Sequence, residues 1–456
     1  MKVFSSMTCA ILLGTAQQAL ASKTPELTLS MAIEQAQNHD AWLVKSNQTQ
    51  ASLTAQQIAA GTWQDPKIAV AMNNLPSNDF AFKRDNMSQL KVSMSQVLPR
   101  GASLQIKQNI LALEAQQQPI LRADRRAKVA MVVSELWLDA YTAKMTIELI
   151  NKDAHLFEQL AEISEANYAS ALGKTRQHDV IRAQVELAQL QDRLVVEQQR
   201  LATKKATLLN WLPTGNTELS AWQFNAHGDL FTIAKTLPDD ALFSSAHSSL
   251  ASLAPFDDET MALLMRHPRY LAQSKEVESA KQSVTLSEQK YKPQWAVNAS
   301  YGYRADSPTG LERHDLLSVG VSFDLPLFTE NKQDKEVLSA RSRTEALKTA
   351  QLLTLKELGS GLATEQQALT QLQKRLELYQ DTILEQSHQQ AEAALSAYNN
   401  DDGDFNTAVQ AKITELNARI ATLNIYIEKL KTLARIKYYL AGTDTSLNDI
   451  AGGSYE

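Results

Sequence analysis

Four short stretches of this chain alternate between apolar and polar residues with a period of two. They come in two pairs: Lys67–Asn73 with Leu90–Leu98, and Trp295–Tyr303 with Leu317–Leu325. Such alternation places the two sets of side chains on opposite faces of a sheet. The segments between paired stretches, residues 75–87 and 304–314, are polar and rich in Asp, Asn, Pro and Ser. Each pair is therefore predicted to form a hairpin.

One face of the predicted sheet is apolar, and the other is small and polar. The apolar positions are Ile68, Val70, Met72, Val92, Met94, Val297, Tyr301, Val319, Val321 and Phe323. A tilted strand that crosses a bilayer needs about 9–11 residues of this kind, so these positions are predicted to face lipid. Aromatic residues lie near the strand ends, where interfacial girdles sit: Trp63, Phe80, Phe82, Trp295, Tyr301, Tyr303 and Phe328. An amphipathic sheet packed on helices in a soluble protein is the alternative.

Four strands cannot close a barrel in lipid. Open edges would leave backbone N–H and C=O groups without partners, at a cost of several kcal/mol each. If the strands are in a membrane, several copies of the chain must share one barrel.

Long helical patterns follow each strand pair. No strong break appears from Pro99 to Gly173 or from Pro326 to Gly403, and kinks are expected at Pro119 and at residues 359–361. Each helix would be roughly 100 Å long at ~1.5 Å per residue. The returning helices carry coiled-coil seams. The seam positions are Val180, Ala183, Leu187, Leu190, Leu194, Leu201, Leu208 and Trp211, then Ile413, Leu416, Ile420, Leu423, Ile427 and Leu430. A plain antiparallel coiled coil is the alternative for these helices alone.

The whole unit occurs twice. His39–Leu43 aligns with His267–Leu271, Ser95–Pro99 with Ser322–Pro326, and Tyr168–Gly173 with Tyr398–Gly403, at nearly equal offsets. The predicted division is a signal peptide (1–21), a first repeat (22–212), a linker (213–256), a second repeat (257–440) and a C-terminal tail (441–456). A duplicated unit of strands and long helices indicates an assembly around an axis and disfavours a catalytic pocket.

Two glycine-containing tips reverse the long helices. The first is formed by Ala171, Leu172, Gly173 and Lys174, and the second contains Gly403; glycine is expected to supply a left-handed conformation at each. Asp401, Asp402 and Asp404 place three carboxylates at the second tip. Repeated around an axis, they would form an acidic gate that attracts cations. Alternatively, they only form a turn and cap the next helix.

The N-terminus has the pattern of a secretory signal. Lys2 is followed by a short apolar core, and Ala19–Ala21 is a small-x-small cleavage site. The single cysteine, Cys9, precedes most of the apolar core, where it does not fit a lipid anchor. Cleavage would leave no cysteine and therefore no disulfide. The formal net charge of −6 argues against nucleic acid as a partner.

No enzyme or cofactor motif is present in the sequence. It has no P-loop, no G-x-S-x-G and no Gly-rich dinucleotide turn, so we expect no catalytic residues and no cofactor. The eight histidines show no i, i+3 or i, i+4 spacing, and none lies beside a cysteine. No resident metal site is therefore predicted, and a metal cargo would pass as a hydrated or weakly held ion.

The chain resembles the TolC family of outer-membrane efflux proteins. The resemblance rests on the duplicated unit, on Leu98–Gly101 and Leu325–Phe328 after the strands, and on the tip segments Tyr168–Gln184 and Tyr398–Ala411. Trp63–Lys67 and Gly403–Phe405 are most similar to the heavy-metal efflux branch. That branch often carries a lipid anchor, which the position of Cys9 does not fit. Thr407 and Gln410 lie near the positions that correspond to the paired gate aspartates of a multidrug member, so the gate role of those aspartates is not carried over to them.

The resemblance implies a mixed α and β membrane protein. Three chains would share a 12-stranded barrel in outer-membrane lipid, continued as a long α-helical coiled-coil barrel into the periplasm. The linker and tail would form a collar around the helical barrel. The tips would dock a periplasmic adaptor (membrane fusion) protein and, through it, an inner-membrane pump of the RND type. This predicts a passive exit duct, with heavy-metal cations as cargo. Drug efflux and type I protein secretion are alternatives, as is a soluble periplasmic structural coiled coil.

Overall fold

The computed structural model describes residues 26–169, 177–212, 231–237, 256–400, 402–403 and 405–443. The predicted signal peptide with Cys9, most of the linker and all but the start of the C-terminal tail lie outside these residues. The fold is mostly helical with one four-stranded sheet, as predicted.

The described residues of the first half of the chain form three strands and four helices. The strands are β1 (Glu26–Leu27), β2 (Lys67–Asn73) and β3 (Gln89–Val97), and the helices are α1 (Leu29–Asn38), α2 (Ala41–Ala60), α3 (Ser103–Ala169) and α4 (Gln177–Leu209). Asp40 caps the N-terminus of α2, since its carboxylate accepts the Trp42 N–H at 2.9 Å.

The second half repeats this order. Its strands are β4 (Thr232–Ile233), β5 (Gln294–Tyr303) and β6 (Leu316–Asp324), and its helices are α5 (Asp258–Leu264), α6 (Pro268–Glu288), α7 (Gln333–Leu378), α8 (Leu384–Asn399) and α9 (Phe405–Tyr439). The offset from the start of β2 to the start of β5 equals the offset from the start of β3 to the start of β6. Equivalent strands therefore recur at constant spacing, while the domain boundaries stay a prediction.

The long helices differ in regularity. α3 is continuous for 67 residues, about 100 Å at ~1.5 Å per residue, and includes Pro119. In the second half the helical path departs from α geometry in a π turn at Tyr379–Ile383, between α7 and α8. α7 passes through Gly359 and Gly361 without ending, as expected, and a kink there stays a prediction. These two glycines allow close packing, because a Cβ on Gly359 would lie 3.1 Å from the Phe256 ring.

The helices nearest the sheet form a layer. α2 packs on α3, α3 on α6, and α6 on α7, so α2 and α7 are the outer edges of this layer. Farther from the sheet, α4 packs on α3, and α9 packs on α3, α7 and α8. The predicted seams form these contacts: Leu190, Leu208, Leu416 and Leu430 are among the buried side chains.

The main hydrophobic core lies near the middle of α3, where both repeats meet; we call this region the waist. Trp137 is fully buried there, its ring stacks on Tyr141, and its indole N–H donates to the Leu27 carbonyl at 2.9 Å. The Tyr141 hydroxyl donates to the Lys235 carbonyl at 3.2 Å. These two aromatic residues therefore hold both β1 and the β4 segment against α3.

Charged groups cross-link the helices beside this core. Asp139 on α3 pairs with Lys204 on α4 at 2.7 Å and also with Lys431 on α9. Burial would raise the pKa of Asp139, but the hydrogen bonds from both lysines lower the pKa below its ordinary value. The carboxylate is therefore ionised and joins three helices.

His267 is a buried N-cap at the start of α6. Its Nδ1 accepts the Arg269 N–H at 3.1 Å, so the proton of the neutral ring is on Nε2, which donates to the Tyr438 carbonyl at 3.0 Å. Burial lowers the pKa of His267 from 6.5, although nearby Asp124 and the Tyr438 carbonyl oppose this shift. A second proton would require Nδ1 to give up its role as the cap acceptor.

We expect acid to destabilise the fold through His267. The neutral ring contributes its full stabilisation above pH 6.5, and this is lost as the pH falls from 6.5 through the lower pKa of the folded chain. Each unit of pKa lowering corresponds to about 1.4 kcal/mol. Unfolding temperatures between pH 8 and pH 5 should fall less steeply for His267→Asn, which can still cap the helix. Equal pH slopes for the two proteins would contradict this role.

Candidate functional site: the sheet and the helix tip

The four long strands form one antiparallel sheet in the order β2-β3-β5-β6. The predicted strands are confirmed to within one residue, and both predicted hairpins form. The two hairpins join through β3 and β5, where Val92 is opposite Tyr301 and Met94 is opposite Ala299. Both repeats therefore contribute equally to a single sheet.

The register collects the large apolar side chains on one face, because residues directly opposite each other in antiparallel strands share a face. Val70, Val92, Tyr301 and Leu317 form one row across all four strands. The next row is Ile68, Met94, Ala299 and Val319. All ten positions predicted to face lipid lie on this face, and each is more than 40% exposed. A single soluble chain rarely exposes so large an apolar patch.

The opposite face carries small and polar side chains. One row is Ala69, Ser93, Ser300 and Ser318, and the next is Lys67, Ser95, Asn298 and Gly320. The Asn298 amide donates to the Ser322 hydroxyl at 3.0 Å. This face suits contact with water and the apolar face suits contact with hydrocarbon, so the two faces differ as those of a pore wall do.

Both outer edges of the sheet are without a strand partner within the described chain. β2 pairs only with β3, and β6 pairs only with β5. Exposed edges of this length are templates for pairing with another strand. In lipid, their free N–H and C=O groups would need partners from another copy of the chain.

Aromatic side chains mark the two ends of the apolar face. At the helix end, Trp295 and Phe323 contact each other with ring centroids 4.6 Å apart, and Phe328 is 90% exposed. At the loop end, Phe82 stacks on Tyr303 at 6.4 Å. This is the placement that interfacial girdles would need, and the girdles themselves stay a prediction.

The two loops at the far end of the sheet are joined by Arg313. Its guanidinium donates to the Asn86 side chain at 2.6 Å and to the Asp85 carbonyl at 3.1 Å. These contacts link the β5–β6 loop of the second repeat to the β2–β3 loop of the first. The alternating pattern gives no sign of this residue, since its partners come from the other repeat.

At the helix end, the turn after β3 is held by a similar cross-repeat contact. Gly101 has a φ of 51°, which glycine adopts without strain. The Arg100 guanidinium donates to the Lys290 carbonyl at 3.0 Å and pairs with Asp324 at the end of β6. These contacts therefore join the turn between β3 and α3 to the second repeat.

The tip between α8 and α9 is described at Asn400, Asp402 and Gly403. The Asp402 N–H donates to the Ala397 carbonyl at 2.9 Å. Gly403 does not adopt a left-handed φ, so that expectation is wrong for this tip. Glycine is required there for space, because a Cβ would lie 2.7 Å from the Tyr398 nitrogen.

The other predicted tip residues, Ala171, Leu172, Gly173, Lys174, Asp401 and Asp404, lie outside the described residues. The docking surface and the acidic gate therefore stay predictions.

The described residues contain no group of three or more His, Cys, Asp or Glu side chains placed to hold a metal ion. Among the described helices, none combines the length and the apolar character needed to cross a membrane.

The chain shares its fold, a long helical body joined to a sheet with one apolar face, with solved outer-membrane channels. Among solved structures, the chain is similar to CusC, at TM-score 0.71 and 11% identity over 90% of this chain and 91% of that one. It is also similar to the outer-membrane protein VceC of Vibrio cholerae, at TM-score 0.68 and 16% identity over 91% of this chain and 96% of that one.

A third similar structure is the outer-membrane channel CmeC of Campylobacter jejuni, at TM-score 0.70 and 12% identity over 92% of this chain and 88% of that one. No protein-family model and no curated protein sequence matches the chain. At these identities the similarity shows the fold, and these neighbours are channel proteins, not enzymes.

Proposed function

We propose that this protein is the outer-membrane exit duct of a tripartite efflux system in a Gram-negative cell. The observation that carries the proposal is the sheet: one face is apolar, the other is polar, and both edges are open. Such a sheet is stable in lipid only as part of a closed barrel. The attached helices are long enough, at about 100 Å for α3, to continue the bore far into the periplasm.

The active form in this proposal is a homotrimer with a 12-stranded barrel. Three copies would join β6 of one chain to β2 of the next. The helical layer supports the same arrangement, because its two edges carry exposed apolar residues: Val44 and Ile58 on α2, and Leu338 and Leu352 on α7. Contact between two different edges repeats around an axis, and it closes a ring when the rotation between neighbouring copies divides a full turn evenly.

The duct itself would be passive. The sequence has no nucleotide-binding motif, so energy must come from a partner. We assign that role to an inner-membrane pump of the RND type, reached through a periplasmic adaptor that docks at the helix tips.

Heavy-metal cations are the cargo indicated by the sequence resemblance; drugs and an exported polypeptide are the alternatives.

Cell fractionation and electrophysiology test the duct. The full-length protein should sediment with outer membranes, migrate as a trimer in detergent, and produce conductance steps in planar bilayers. The competing proposal, a structural coiled coil of the periplasm, predicts a soluble protein with no conductance. A soluble monomer would overturn the duct.

The cargo needs a separate experiment. A deletion strain should become sensitive to cobalt, zinc, cadmium or copper and regain tolerance when the gene is restored. Normal metal tolerance combined with drug hypersensitivity would instead assign the duct to drug efflux.

A further inference from the structure

A polar groove of about 880 Å³ lies close to the sheet, on the helical layer formed by α2, α3, α6 and α7. All four helices contribute to its lining, from Leu53 on α2 to Leu347 on α7. Because the four helices lie side by side, a hollow that touches all of them must be on the concave face of the layer. In the proposed ring, this face becomes the wall of the bore.

Positive charge dominates the lining. Five cationic side chains, Lys275, Lys290, Lys332, Lys335 and Arg343, stand against three carboxylates, Glu114, Glu276 and Glu336. Two of the cations are already paired: Lys290 with Glu336 at 2.9 Å, and Lys275 with Glu278 at 3.0 Å. Within the described chain, the side chains of Lys332, Lys335 and Arg343 form no hydrogen bond or ion pair, and all three are exposed.

Two of the unpaired cations, Lys335 and Arg343, lie on one face of α7, and Lys332 immediately precedes the first residue of this helix. Lys335 and Arg343 are separated by about 12 Å at ~1.5 Å per residue. Ser283 and Ser287 line the facing wall on α6. Their hydroxyl groups donate to carbonyls within α6, at 3.2 and 3.1 Å, and can rotate to donate to a bound group instead.

We propose that this groove binds a multivalent anionic solute, one that carries phosphate, carboxylate or sulfonate groups, as it passes along the bore. Lysine and arginine side chains that have no internal carboxylate partner form strong charge-assisted hydrogen bonds with such groups. A low-dielectric wall on one side strengthens this attraction. A bare metal cation would pass this section without being held. The position in the bore rests on the proposed function, whereas binding itself does not.

Isothermal titration calorimetry with inorganic pyrophosphate, in buffer free of divalent metals, tests the groove on the detergent-purified full-length protein. The groove variant combines K332Q, K335Q and R343Q. We expect its affinity for pyrophosphate to fall by about tenfold or more, because three charge-assisted contacts are removed. Binding by the unaltered protein should weaken as salt is added.

A matched control removes the same charge from other faces of α7. The variant R341Q/K348Q/K356Q loses three positive charges that do not line the groove. It should bind pyrophosphate within about twofold of the unaltered protein, since exposed ion pairs contribute little. Equal losses in the two variants, or no pyrophosphate binding by the unaltered protein, would overturn the proposal.

Bilayer recordings separate this inference from the duct. Under a KCl gradient, the groove variant should shift the reversal potential toward cation selectivity relative to the control variant. A channel that conducts normally but shows no shift retains the duct and removes the groove from its bore. Groove-dependent pyrophosphate binding by a protein that forms no channel would retain the anion site and reject the duct.

Discussion

Replacing Val319 by lysine is expected to prevent the chain from inserting into membranes. Val319 is 72% exposed and lies in the row formed with Ile68, Met94 and Ala299 on the apolar face. A lysine near the middle of the bilayer costs about 2–4 kcal/mol on the lipid face of a barrel. In a trimer the change occurs three times, so the total cost is roughly 6–12 kcal/mol.

The adjacent residue provides the control. Ser318 lies on the polar face, opposite Ser300, and Ser318→Lys should assemble normally because its side chain remains in water. The measurement is the fraction of each variant that folds into lipid vesicles, read from protease protection of the sheet and from heat-modifiable migration in gels. If Val319→Lys inserted as well as Ser318→Lys, the apolar face would not be the lipid face.

Replacing Trp137 by alanine is expected to lower the free energy of unfolding of the helical body by about 3–5 kcal/mol. The indole ring is fully buried against Tyr141, and its N–H donates to the Leu27 carbonyl. Alanine would leave a cavity where β1, β4 and α3 meet, while the Leu27 carbonyl would keep only the Ala234 N–H as a donor, at 3.1 Å. We expect a lower midpoint of chemical unfolding, followed by circular dichroism of the detergent-solubilised protein.

The conservative change Trp137→Phe separates the two contributions. Phenylalanine keeps most of the ring but cannot donate to the Leu27 carbonyl. That carbonyl still accepts the Ala234 N–H, so the loss should be only about 0.5–1.5 kcal/mol. A full-sized loss in this variant would show that the hydrogen bond, and not packing, dominates. No measurable loss in Trp137→Ala would mean that the waist does not limit stability.

The strands were the most predictable part of the protein. Their period-two pattern is local, so alternation alone located β2, β3, β5 and β6 to within one residue. The same pattern separated an apolar from a polar face. The turn residues between paired strands then required each pair to form a hairpin, which the register confirms.

The helices were predictable in length but not in detail. The absence of strong breaks after Pro99 predicted a helix as long as α3. The glycine pair in α7 lies inside a continuous helix, where Gly359 and Gly361 leave room for packing against other elements. The π turn at Tyr379–Ile383 contains no glycine or proline from which the irregularity could have been predicted. Backbone irregularity of this kind depends on neighbouring helices.

The contacts that join the two repeats were not predictable. Arg313 contacts Asn86, and Arg100 pairs with Asp324, and in each case the two partners belong to different repeats. The groove is a further case, since its unpaired cations lie on α7 or just before it, Ser283 and Ser287 lie on α6, and only packing creates the space between them.

The sequence by itself determined the periodicity of the elements, their order and the polarity of each face, because these follow from residue spacing along a strand or helix. The tertiary structure decided which strands are neighbours, which charges are left unpaired and which glycines are needed for space. Those properties depend on atoms brought close by folding, and no local pattern of residues records them.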